Sequence, residues 1–199
     1  MEGLEVRHVW PVELEYRQRG RTLTGAFPYG KVATVADRGE VRKERFEPFA
    51  FQFAVADPLR EIHLLSGHSF NRPLASKLGK SLVLRDTPTA LTFTATLPPE
   101  GEQPTWMVDA VRAVRAGLVG GISPGFRVPP PDAVPDAETV VPEPGNPGVG
   151  IRSIRAAVLF ELSLVTRPAY DETAVDLRAA SVREPAPVVQ TPEALWRLI

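Results

Sequence analysis

Apolar and polar residues alternate over much of this chain, which is the two-residue period of half-buried β-strands. From about residue 4 to 36 the alternation puts Val12, Leu14 and Tyr16 on one face. A turn at Arg19-Gly20 then leads into Thr22-Leu-Thr-Gly-Ala-Phe27. Asp37-Arg-Gly-Glu40 is a second turn signal. Phe49, Phe51 and Phe53 recur at every second position, so residues 48–55 are expected to form a strand with these rings in the core. Residues 61–65 read as a short strand ending at Ser66-Gly-His-Ser69, and residues 81–85 and 90–97 as a hairpin about Asp86-Thr-Pro-Thr89. Thr92, Thr94 and Thr96 fall on its wet face, Phe93 and Ala95 on its buried one.

One segment has helical spacing. Met107, Ala110, Val111, Val114 and Leu118 recur at i, i+3, i+4, predicting a helix over 105–116, capped by Thr105 and stopped by Gly117. Residues 129–148 are crowded with proline and acid and are expected to form an exposed, irregular insertion. Strands return over 150–157 and 158–166. After residue 178 the pattern fades into a tail over 179–199, with a short helix expected at 191–199. One unit over 1–178 with this tail follows, and many strands around one or two helices suggest a β-barrel or a compact β-rich α+β domain.

The totals narrow the possibilities. At 199 residues the chain encloses one ordinary core. A net charge of −1 gives no field for nucleic acid, and no apolar run reaches the ~20 residues that span a bilayer. Without a signal peptide at the N-terminus, a cytoplasmic location is expected. The absence of cysteine removes disulfides, thiolate metal sites and a cysteine nucleophile. A zinc site would have to use His63, His68 and a carboxylate, and their spacing fits no common motif. No metal and no cofactor is expected.

The most informative stretch is Arg115-Ala-Gly-Leu-Val-Gly-Gly-Ile-Ser-Pro-Gly-Phe-Arg127. Gly121-Ile-Ser-Pro-Gly125 fits G-x-S-x-G, but the nucleophile-elbow reading fails. All three histidines precede Ser123, the helix arrives at the serine instead of leaving it, and Pro124 has no N–H for an oxyanion. If Ser123 is a nucleophile, its base lies upstream. His8 is near a terminus and His63 is within an apolar strand. His68 follows Gly67 at a strand end, where its ring can project into a cleft, which makes it the best candidate base. Glu161 is the lone charge in Val158-Leu-Phe-Glu-Leu-Ser-Leu-Val165. Either it faces solvent with Ser163 or pairs with Arg152 or Arg155, or it accepts a hydrogen bond from His68. Alternation puts Glu161 and Ser163 on one face, and Phe160, Leu162 and Leu164 on the other.

Three motifs in order, Ser66-Gly-His-Ser69 with Pro73-Leu74, the 115–127 stretch, and Leu159-Phe-Glu-Leu-Ser-Leu-Val-Thr-Arg-Pro-Ala-Tyr170, resemble the prohead (capsid maturation) proteases of tailed bacteriophages. Weaker similarity lies in Leu23-Thr-Gly-Ala-Phe27, Glu44-Arg-Phe-Glu-Pro-Phe49 and the 81–97 hairpin, so that it spans residues 14–178. The resemblance implies a fold related to the herpesvirus assembly proteases, a closed β-barrel flanked by one or two helices. It implies a serine endopeptidase with Ser123 as nucleophile, His68 as general base and Glu161 as third member, the herpesvirus relatives using a second histidine there. Gly120, Gly121 and Gly125 become the oxyanion region. The implied substrates are scaffold segments, the major capsid protein and the enzyme itself, inside a procapsid in the host cytoplasm. The herpesvirus relatives are commonly dimers, so a homodimer is among the implied states. Two departures stand out: Ser69 where the family often has aspartate, and Pro124 where phenylalanine is frequent. The rival reading is a catalytically inactive structural or scaffold component of a phage head. An unrelated esterase or amidase is disfavoured by the order of histidine and serine.

Overall fold

A computed structural model describes residues 5–6, 15–17, 21–37 and 40–166 of the chain. The strands are β1 (Glu5–Val6), β2 (Glu15–Arg17), β3 (Thr22–Pro28), β4 (Ala33–Asp37), β5 (Glu40–Phe46), β6 (His63–Ser66) and β7 (Ser69–Ser76). They continue with β8 (Leu82–Asp86), β9 (Ala90–Thr96), β10 (Gly121–Arg127), β11 (Glu138–Glu143), β12 (Asn146–Ile154) and β13 (Val158–Val165). Two α-helices, α1 (Gln52–Ala56) and α2 (Thr105–Arg115), and a short 3₁₀ helix at Glu100–Glu102 complete the described elements.

The strands form three open sheets, with orders β1-β10-β13-β6-β7, β2-β3-β9-β8 and β11-β12-β5-β4. The β-rich expectation agrees with this, but the closed barrel does not: among the described residues no ladder joins the edge of one sheet to another. The edges explain why. β1 and β2 are two and three residues long, and β7 and β11 carry Pro73 and Pro142, which cannot donate to a further strand. α2 packs against β7 and β2, and α1 against β13 and β8, so helices occupy the gaps between the first two sheets.

The core gathers between the sheets. Leu23, Phe27, Phe93 and Ala95 enter it from the second sheet, Leu64, Ile122, Phe126, Leu162 and Leu164 from the first, and Phe46 and Ile154 from the third. At its centre Phe51 lies 5.2 Å from the Phe46 ring, 6.0 Å from Phe27 and 6.2 Å from Phe126. Its backbone N–H donates to Asp86, whose other oxygen accepts from Tyr29. Burial pushes both the Tyr29 hydroxyl and the Asp86 carboxyl above their ordinary values. Phe51→Ala is therefore expected to cost about 3–5 kcal/mol, read as a lower denaturation midpoint with an unchanged slope.

Several local expectations need correction. Residues 48–51 form a turn that enters α1, not a strand; Phe51 alone is core, while Phe49 and Phe53 are exposed. Phe49 has φ +62°, which breaks the extended backbone that the aromatic spacing suggested. The stretch 129–148 is not wholly irregular, for β11 and the start of β12 pair as a hairpin across Gly145. Helix α2 begins after Pro104 with no side-chain cap, so Thr105 is its first residue. Its C-terminus is as expected: Gly117 has φ +70°, its N–H bonds the Val114 carbonyl and Leu118 N–H bonds that of Ala113. Leu118 itself is exposed. His8, Val12, Leu14 and the 179–199 tail with its expected short helix lie outside the described residues.

Candidate active site

Ser123 sits in β10, opposite Ser163 of β13, and Gly125 sits opposite Glu161. Directly opposed residues of an antiparallel pair share a face, their Cβ atoms about 4.5–5.5 Å apart. Ser123, Gly125, Glu161 and Ser163 therefore occupy one face of the first sheet. The other face presents Ile122, Leu162 and Leu164 to the core. The candidate site faces away from the main core and is still dehydrated: Ser123 and Ser163 are 0% exposed and Glu161 is 1% exposed.

A bulge aims the carboxylate. Gly125 pairs with Glu161 but Phe126 pairs with Leu159, so Phe160 is an extra residue in β13. Without it Leu159 and Glu161 would share a face. With it Leu159 reaches the core while Glu161 points the opposite way. Phe160, expected beside Leu162, is instead half-buried, with its ring under the Arg127 guanidinium.

His68 arrives from the β6–β7 turn. Ser66 pairs with Ser69, so the loop is the two residues Gly67-His68, with φ +61° and +58° as a type I′ turn requires. Glycine meets this at no cost, whereas histidine must be held there. Two bonds to β13 hold it: Gly67 N–H donates to the Leu164 carbonyl at 3.0 Å, and His68 N–H to Ser163 Oγ at 2.9 Å. The ring then reaches Glu161, with Nδ1 2.9 Å from Oε1. Ser163 Oγ donates to the other oxygen, Oε2, at 2.6 Å.

Of the two readings open for Glu161, the structure gives the bond to His68. Solvent is excluded from its side chain, and Arg152 is engaged by Glu138 at 2.5 Å and Glu44 at 3.4 Å. His63 lies opposite Glu161 in the β13–β6 ladder, but its ring packs edge-on against Phe70 and its Nε2 is 3.9 Å from Glu61. Ser123 Oγ is buried and makes no hydrogen bond to any described residue, His68 included. Gly120 precedes β10, and Gly121 opens it opposite Val165. Gly125 has a spatial role that sequence did not reveal: a Cβ there would lie 2.2 Å from Glu161 Oε1. Ser163 was also missed as a site residue, its only signal being its place two residues after the lone buried charge. Among the described residues no cluster of three metal-ligating side chains occurs, and no helix is long and apolar enough to cross a membrane.

A buried hydroxyl, an imidazole and a carboxylate gathered on one sheet face are the groups that serine-nucleophile chemistry requires. The model of the caudovirus prohead serine protease family matches residues 15–186, and the chain belongs to that family, placing it at family level among the serine proteases. No curated protein and no solved structure gave a match.

Proposed function

We propose that the chain is a serine endopeptidase of procapsid maturation in which Ser123 is the nucleophile, His68 the general base and Glu161 the residue that orients the base. The observation that carries this reading is the 2.9 Å bond between His68 Nδ1 and Glu161 Oε1, made on the face that also bears Ser123. An ionised carboxylate only accepts, so Nδ1 holds the proton and the lone pair is on Nε2. Nε2 takes the proton of Ser123 as Oγ attacks a peptide carbonyl, and the imidazolium that forms is stabilised by Glu161. The imidazolium then protonates the leaving amine. Water, with His68 again as base, releases the acyl group and restores Ser123. Pro124 cannot donate to the oxyanion, so the backbone N–H groups of Ser123, Gly120, Gly121 or Gly125 are the candidates.

The family points to capsid-related substrates. Within the reading they are scaffold segments and the N-terminal region of the major capsid protein, cut inside the procapsid, and the chain itself. The decisive experiment expresses the chain with its capsid protein and weighs both polypeptides by intact mass. Shortening with the wild type and none with Ser123→Ala is the expected result; identical masses in both would refute it. One observation favours a second reading, a catalytically inactive head component: Ser123 is fully buried and not bonded to His68. Resting sites are often loose in this way, and tighten on substrate.

Gly125→Ala tests the carboxylate's place. The added methyl overlaps Glu161 Oε1, Cδ and Cγ, and these must move while β10 and β13 stay paired. A misplacement of about 1 Å costs on the order of 10²-fold in rate. Peptide cleavage is expected to fall by at least that factor, measured as kcat against a capsid-derived peptide.

A further inference from the structure

Ser163 is a fully buried hydroxyl that the steps above leave unused. It makes two hydrogen bonds of opposite sense, accepting the His68 N–H at 2.9 Å and donating to Glu161 Oε2 at 2.6 Å. Glu161 Oε1 in turn meets His68 Nδ1 at 2.9 Å. The three contacts close a ring: backbone of His68, hydroxyl of Ser163, carboxylate of Glu161, imidazole of His68. The donor sense is consistent around it, since the N–H can only donate, the ionised carboxylate can only accept, and the hydroxyl does one of each. The ring also joins two otherwise independent parts, a strained two-residue turn with His68 at φ +58° and a bulged strand that aims Glu161. Ser69, the departure from the family's usual aspartate beside the histidine, pairs with Ser66 across the turn, and the bond on the His68 N–H comes from β13.

We infer that Ser163 is a positioning residue: its hydroxyl sets the backbone of the base and the carboxylate that orients it at one fixed separation. This rests on the proposed roles of His68 and Glu161, but it is tested through the hydrogen bond itself. In full-length chain carrying Ser123→Ala, the Nδ1-bound proton of His68 is followed by NMR, assigned by its loss in His68→Gln. Its exchange with water is expected to be slow there, at least about tenfold faster once Ser163→Ala is added, and slow again with Ser163→Thr, which keeps the hydroxyl. Ser163→Cys, close in size and a weak hydrogen-bonding group, replaces alanine where alanine costs the fold. Equal protection with and without the hydroxyl, or no protected proton in Ser123→Ala itself, overturns the inference.

In the chain with Ser123 intact, Ser163→Ala is expected to lower kcat by about ten- to a hundredfold with KM unchanged, and Ser163→Thr to recover most of it. Ser153→Ala, which removes a buried serine bonded to Glu47 on another sheet, leaves both parameters alone. A wild type that cleaves nothing refutes the protease reading, while the exchange measurement still decides the role of Ser163.

Discussion

Ser123→Ala is expected to abolish peptide cleavage and at the same time to stabilise the fold. Removing the nucleophile of a serine protease leaves only binding and oxyanion stabilisation, a loss on the order of 10⁴–10⁶ in kcat. The stability change has the opposite sign because the Ser123 hydroxyl is buried with no hydrogen-bond partner among the described residues. A buried hydroxyl without a partner costs about 1–3 kcal/mol, and alanine removes the group without opening a large cavity. The variant should unfold at a higher denaturant midpoint while its cleavage products vanish from the mass spectrum. A hydroxyl with no part in the chemistry would leave cleavage unchanged while still raising the midpoint, so it is the mass spectrum that decides its role.

Glu161→Gln is expected to lower kcat by roughly 10⁴-fold, with little change in KM or stability. The surrounding bonds dictate the cause. Ser163 donates to Oε2, so the glutamine amide oxygen settles there and its NH₂ faces His68. Nδ1 must then accept, which moves the ring proton to Nε2, the atom that in the proposed mechanism takes the proton from Ser123. The base is present but in the wrong tautomer. Exchanging a buried carboxylate for a neutral isostere has little stability cost, so the loss should appear in single-turnover cleavage and not in the unfolding curve. A Glu161→Gln variant as fast as wild type would show that the carboxylate only packs.

How far sequence reaches depends on which residues carry their own signal. His68 and Ser123 stood out as candidates because turn chemistry surrounds them: Gly67 before one, Gly121 and Pro124 about the other. The hairpins at Asp37–Glu40 and Asp86–Leu91 and the stop at Gly117 were legible for the same reason, each being local. The aromatic repeat over residues 49–53 misled because a period of two is not unique to strands, and one residue at positive φ diverts it. β11 was hidden by prolines that a hairpin at a sheet edge tolerates.

The strand pattern left a β-barrel and a compact β-rich α+β domain both open, and the family resemblance chose the closed barrel; closure is decided by what the edge strands meet, which no local pattern records. For Glu161, alternation placed it with Ser163 correctly, but its partner and the bulge at Phe160 depend on pairing between strands far apart in sequence. Ser163 gave almost no sign of its place, because a serine beside a glutamate on a strand reads as a wet face until the register shows both to be buried.

The central claim is that one of two facing hydroxyls, Ser123 and not Ser163, is activated by His68. Treating the full chain with a small fluorophosphonate and mapping the adduct by peptide mass tests it most directly. The account predicts a single adduct, on Ser123, that disappears in His68→Gln. An adduct on Ser163, or labelling of Ser123 that persists without the imidazole, would contradict it.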